Sequence, residues 1–139
     1  MDHPRLLLGD DHKETSELLR SLLEPEFDVI AVVQDGLALV SAAERLSPDV
    51  ILSDISMPGL DGITAATVIL RKNPAARIIF VTVQDDLCLV ERGLSIGALG
   101  YVLKRVAGDE LVTAVHAVLC GGRHVSEALS YMHFRSRKP

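Results

Sequence analysis

Tryptophan is missing from this 139-residue chain, and phenylalanine and tyrosine make up only 4% of it. A chain so poor in aromatics has no stacking platform for single-stranded nucleic acid. Cysteine occurs twice, at Cys88 and Cys120, in no CxxC arrangement. That excludes a disulfide framework and a zinc site of the usual spacing, and reads as two free thiols in a reducing compartment. No apolar run reaches the roughly 18 residues of a membrane span. The densest runs are Val29–Val33 and Ile78–Val83. The first residues pass straight from a short apolar run to Asp10-Asp11 and do not read as a secretory signal. Basic residues are outnumbered, 14 against 19 acids, for a formal charge of −5. A balance of that sign disfavours general nucleic-acid binding.

What is present is the mixture of a globular domain, 48% hydrophobic and 24% charged. Its length fits one domain with its own core. Short apolar runs alternate with longer amphipathic ones. Leu6–Gly9, Val29–Val33, Val50–Asp54, Ile78–Thr82 and Tyr101–Leu103 read as strands buried on both faces. Between them, helical stripes fall on Leu18, Leu19, Leu22 and Leu23, on Gly36–Leu46, on Ile63–Lys72, on Leu87–Ile96 and on Ala107–Leu119. Pro25, Pro48, Pro74 and Gly121-Gly122 punctuate the pattern. Five strand–helix repeats predict an α/β fold. It is a doubly wound, five-stranded parallel sheet of flavodoxin-like order 2-1-3-4-5, with helices on both faces. The domain is expected over residues 1–122. Residues 123–139 form a basic tail or linker, in which Val125, Ala128, Leu129 and Met132 fall at helical spacing and Arg135, Arg137 and Lys138 make the end basic.

Ligands of such sheets sit at the carboxyl ends of the strands. Strand one ends in Asp10-Asp11, strand three in Asp54, strand four in Thr82 and strand five in Lys104. Three carboxylates brought together repel unless a cation joins them, and one lysine does not neutralise three acids. A hard divalent cation such as Mg²⁺, completed by water and phosphate oxygens, fits this donor set. A carboxylate can accept a phosphoryl group, a lysine can hold one of its oxygens as a point charge, and a threonine hydroxyl can donate to another. Taken singly, each residue has a plain structural reading as a turn former, cap or surface lysine. The four together at adjoining strand ends carry the argument.

The stretches Leu8-Gly9-Asp10-Asp11-His12, Asp54-Ile55-Ser56-Met57-Pro58-Gly59-Leu60-Asp61-Gly62, Thr82 and Gly97-Ala98-Leu99-Gly100-Tyr101-Val102-Leu103-Lys104 resemble the receiver domain of bacterial two-component response regulators. In detail they are similar to the NarL/FixJ subfamily, whose receivers precede a LuxR-type helix-turn-helix. The resemblance implies that Asp54 is phosphorylated by a sensor histidine kinase. It implies Mg²⁺ on Asp11, Asp54 and the Ser56 carbonyl, with Asp10 acting through metal-bound water. Lys104 and Thr82 would contact the phosphoryl group, Thr82 and Tyr101 would form the switch, and Ser56 and Gln84 would tune dephosphorylation. The output face would be helix four, strand five and helix five. A homodimer, a cytoplasmic location and no membrane association are further expectations. DNA would be reached only through an output domain, which needs ~60 more residues, whereas 18 follow Gly121. The chain is therefore expected to be a piece of a longer regulator. Arg105 stands where many family members carry proline, and the sequence leaves the geometry of the Lys104–Arg105 peptide open. His12 and His116 read as surface or packing residues.

Two other readings compete. A Mg²⁺-dependent phosphatase of the haloacid-dehalogenase kind also uses an aspartyl phosphate, but it needs a second aspartate where Ser56 stands. A receiver-like interaction module that never takes up phosphate is the other.

Overall fold

Leu6, Leu7 and Leu8 are buried on alternating faces of the first strand, and this alternation builds two separate cores. The computed structural model describes residues 3–129. Strands β1 (Arg5–Gly9), β2 (Asp28–Val33), β3 (Val50–Ser53), β4 (Ile78–Thr82) and β5 (Gly100–Leu103) alternate with helices α1 (Lys13–Leu23), α2 (Gly36–Leu46), α3 (Gly62–Lys72), α4 (Leu87–Ser95) and α5 (Ala107–Leu119). A short 3₁₀ turn, Lys104–Val106, joins β5 to α5. Leu7, Ile51, Phe80, Tyr101 and Leu103 pack with α2, α3 and α4. Leu6, Leu8, Leu52, Val81 and Val102 pack with α1 and α5. Period-two alternation on strands with two covered faces explains why these runs are apolar throughout. On α1 the apolar stripe turns inward at Leu19 and Leu23, while Leu18 faces solvent.

All pairings are parallel, and the strand order is β2-β1-β3-β4-β5, as expected, with one addition. A sixth strand, β6 (His124–Val125), lies beside β5, pairing Gly100 with His124 and Tyr101 with Val125. The helical reading of the tail is therefore corrected at Val125, which is a strand residue. A helical turn starts only at Glu127. The reason is long-range: the amides of His124 and Ser126 bond to the carbonyls of Leu99 and Tyr101. Ser126 and Leu129 are fully buried, so residues 124–129 cover part of the open edge of the sheet. Met132, Arg135, Arg137 and Lys138 lie outside the described residues.

Aspartates start three helices. Asp35, Asp61 and Asp86 accept from the amides of Ala38, Thr64 and Cys88 at 2.8, 2.9 and 2.7 Å, each such cap contributing about 1 kcal/mol. Burial pushes the Asp61 carboxyl up, but hydrogen bonds from Thr64 and Ile63 and the charge of Arg92 bring it below its ordinary range.

Candidate functional site

The strand order places β3 between β1 and β4, with β5 beyond. Asp54 follows β3 directly, so it stands between Asp10-Asp11 on one side and Thr82 and Lys104 on the other. The backbone fixes it there: the Asp54 amide bonds to the Gly9 carbonyl at 2.9 Å, and the Asp10 amide to the Val33 carbonyl at 2.9 Å. The loop after Asp54 is equally constrained. The Gly62 amide donates to the Ile55 carbonyl at 2.7 Å. A Cβ at Gly62 would lie 2.0 Å from the Asp54 carbonyl oxygen, so no side chain fits there.

Lys104 draws the acids together. Its Nζ lies 2.7 Å from Asp54 Oδ2 and 2.8 Å from Asp10 Oδ2. Burial pulls the lysine pKa down, but the hydrogen bonds and charges of Asp10 and Asp54 more than offset it and hold the pKa above the usual lysine value. Asp54 Oδ1 accepts from the Ile55 amide at 2.7 Å, and Asp10 Oδ1 from the His12 amide at 2.8 Å. Asp10 and Asp54 are almost fully buried, 1% and 3% exposed. Such depth is affordable for a carboxylate only with charge-assisted partners.

The donor set leaves room for a cation. Asp10, Asp11, His12 and Asp54 each offer a ligand atom, and these atoms lie within 4.8 Å of one another. Asp11 Oδ1 is buried without a hydrogen bond, the His12 ring nitrogen lying 3.1 Å away without forming one. A buried carboxylate oxygen lacking a donor, in a cluster of three acids and one lysine, fits a hard cation.

Thr82, Gln84, Ser56 and Tyr101 form the rim. Thr82 is fully buried, and its Oγ1 accepts from the Gln84 amide at 3.2 Å. Tyr101 Oη donates to the Gln84 carbonyl at 2.7 Å. Gln84 Nε2 reaches Ser56 Oγ at 3.2 Å, spanning from β4 to the loop after β3. Burial, followed by the charges of Asp54, Asp85 and Asp86, pushes the Tyr101 phenol well above its ordinary value, so it stays a donor. Asp10, Asp11, Asp54 and Lys104 thus meet directly, Ser56 and Gln84 meet at the rim, and Thr82 and Tyr101 join them through Gln84. The Lys104–Arg105 peptide is trans. His12 is exposed at the start of α1, and His116 packs against Phe27 and Glu26, both as expected of surface or packing residues.

Residues behind β5 add support to the site. Ser126 Oγ accepts from the Leu103 amide at 3.0 Å. Glu110 of α5 holds the same segment through His124 Nε2 at 2.9 Å and through Ser126. No local signal marks these residues, because only the parallel pairing to β5 brings them there.

A parallel α/β sheet whose strand ends gather three acids, a lysine and a threonine defines a class of signalling domain. The family model "Response regulator receiver domain" matches residues 6–116, and the chain belongs to that family of regulatory domains. It is 34% identical over 91% of its length to the transcriptional regulatory protein DegU of Brevibacillus brevis, of which it covers 55%. The chain thus spans a little over half of that curated relative. Among solved structures, a LuxR-family two-component response regulator from Aurantimonas sp. SI85-9A1 superposes with a TM-score of 0.94 at 31% identity, over 98% of this chain and 99% of that one. The isolated receiver domain of RcsB from Salmonella enterica serovar Typhimurium, described with the phosphomimetic BeF₃⁻, gives 0.86 at 29% identity, over 94% and 98%. The Aurantimonas structure is thus of the LuxR family, the kind of regulator that the motifs resemble.

Proposed function

We propose that Asp54 is the phosphoryl acceptor of this receiver domain and that a sensor histidine kinase is the donor. One carboxylate oxygen of Asp54 attacks the phosphorus of the kinase phosphohistidine. The P–N bond breaks as the new P–O bond forms, and the departing imidazole takes up a proton. The reaction needs charge neutralisation and alignment rather than a strong acid or base. One observation carries the reading: Lys104 Nζ lies between Asp54 and Asp10, 2.7 and 2.8 Å away. Asp54 thus has beside it acids that could hold a cation and an ammonium within reach of a phosphoryl oxygen.

Asp10, Asp11, Asp54 and the Ser56 carbonyl are the residues that would hold Mg²⁺, which would neutralise charge on the incoming phosphoryl group. Lys104 and the Thr82 hydroxyl would each take a phosphoryl oxygen. Neither Ser56 nor Gln84 is acidic, so neither supplies a base for hydrolytic water, and their mutual hydrogen bond screens the rim. Thr82 and Tyr101 form the switch, a reading supported by the hydrogen bonds that both make to Gln84. The reporting face is α4, β5 and α5. The output is transcriptional control through a DNA-binding domain elsewhere in a longer chain, a reading supported by the DegU and LuxR-family relatives. No helix among the described residues is long and apolar enough to cross a membrane. A cytoplasmic location and dimerisation through a receiver face are part of the same reading.

The test is phosphorylation by acetyl phosphate with Mg²⁺, read by intact mass. The expected result is a gain of one phosphoryl group, absent without divalent cation and absent in Asp54→Asn. A gain that persists in Asp54→Asn removes the assignment.

A further inference from the structure

The strand that presents Lys104 is gripped from behind by a residue without chemistry of its own. Ser126 is fully buried. Its amide donates to the Tyr101 carbonyl at 2.9 Å, and its hydroxyl oxygen accepts from the Leu103 amide at 3.0 Å. The two bonds bracket the end of β5, one residue before Lys104. Glu110 fastens the hydroxyl and the adjoining His124 and Glu127 to α5. Val125 and Leu129 join the core on the α4 side, with Tyr101 and Leu103.

From Tyr101 the contacts run on to the site. Its phenol holds the Gln84 carbonyl, and the Gln84 side chain reaches Ser56 at the rim of the acid cluster. Ser126 therefore bonds the backbone on either side of Val102, between the two residues by which β5 serves the site, Tyr101 and Lys104. A two-residue strand pairs weakly by itself, so its docking is sensitive to small shifts of β5.

We propose that Ser126 is a positioning residue of the acidic site: by clamping the end of β5 it fixes Lys104 and Tyr101 in the geometry that receives a phosphoryl group, and it couples occupancy of the site to docking of the segment that follows β6. This rests on the phosphoacceptor reading above. Coupling of this kind is reciprocal. A phosphoryl mimic that favours the clamped geometry tightens the docked segment, and loosening the segment weakens the mimic.

The experiment uses the full 139-residue chain with Mg²⁺ and beryllofluoride, followed by amide NMR. In the unmutated protein, beryllofluoride is expected to slow exchange of the Ser126 and Leu103 amides by about fivefold or more. Ser126→Ala is expected to raise the beryllofluoride concentration needed for half-saturation by a similar factor. Ser126→Thr, which keeps the acceptor, restores it. Exchange at Ser126 and Leu103 that is unchanged while the Asp54 and Thr82 amides shift overturns the positioning role and leaves the phosphoacceptor reading intact. Absence of any shift at Asp54 and Thr82 removes both. Should Ser126→Ala not fold, the exchange measurement on the unmutated chain decides alone.

Discussion

Tyr101 Oη donates to the backbone carbonyl of Gln84 at 2.7 Å, tying β5 to the loop that leaves β4 beside Thr82. Removing the hydroxyl in Tyr101→Phe is expected to cost about 1 kcal/mol of stability and to speed exchange of the Gln84 amide. Because burial and the charges of Asp54, Asp85 and Asp86 push the phenol up from its usual 10.0, Tyr101 is expected to stay neutral when ordinary tyrosines ionise. An ultraviolet titration of the protein against Tyr101→Phe checks this. A difference signal at the usual pH would contradict it.

The Asp11 carboxylate holds a buried oxygen without a hydrogen bond. Asp11→Asn removes one charge from a crowded acid cluster and is therefore expected to leave the metal-free protein folded and no less stable. It is also expected to abolish the rise in Tm that Mg²⁺ produces in the unmutated chain by binding only the folded state. Thermal melts with and without Mg²⁺ report both effects, and an equal Mg²⁺ response in the variant would exclude Asp11 as a ligand.

Gly62 backs directly onto Asp54. A Cβ there would sit 2.0 Å from the Asp54 carbonyl oxygen, so Gly62→Ala must displace the loop that positions the acceptor. Destabilisation of about 2 kcal/mol, at the scale of overpacking, is expected, together with slower phosphorylation. Urea denaturation and initial rates with acetyl phosphate measure the two.

Glu110 sets a pH limit on the docking of residues 124–129. Burial raises its pKa, but the hydrogen bonds from His124, Ser126 and Glu127 and the charge of His124 lower it more, to below its usual 4.5. A carboxyl lowered in the folded state contributes stability that is complete above the unfolded value and is lost as pH falls through the folded one. Exchange protection of the Ser126 amide is accordingly expected to hold at neutral pH and to drain away below about 4.5. Glu110→Gln should flatten that dependence. Protection that is unchanged as pH falls from about 5 to about 3 would contradict it.

Much of this was legible in the residues themselves. Leu6–Leu8, Val50–Leu52 and Ile78–Val81 are apolar at every position because both faces of the sheet are covered, and their alternation with amphipathic helices marks a parallel sheet. Once the order of strands is known, Asp10, Asp11, Asp54, Thr82 and Lys104 must converge, since each stands at a carboxyl end. β6 was not legible, because two residues carry no periodicity and the spacing of Val125, Ala128 and Leu129 imitates a helix. Ser126 was hidden for the same reason: its importance comes from a hydrogen bond to Leu103, 23 residues earlier in the chain. The contact between Ser56 and Gln84 depends likewise on two loops meeting above the sheet.

The central claim is that Asp54 takes up the phosphoryl group within a cluster of acids bridged by Lys104. Intact-mass measurement after incubation with acetyl phosphate and Mg²⁺, followed by peptide mapping, tests it most directly. The account predicts one added phosphoryl group on the peptide that contains Asp54, lost in Asp54→Asn and strongly slowed in Lys104→Ala. An unmodified chain under those conditions, or a phosphoryl group mapped elsewhere, would contradict it.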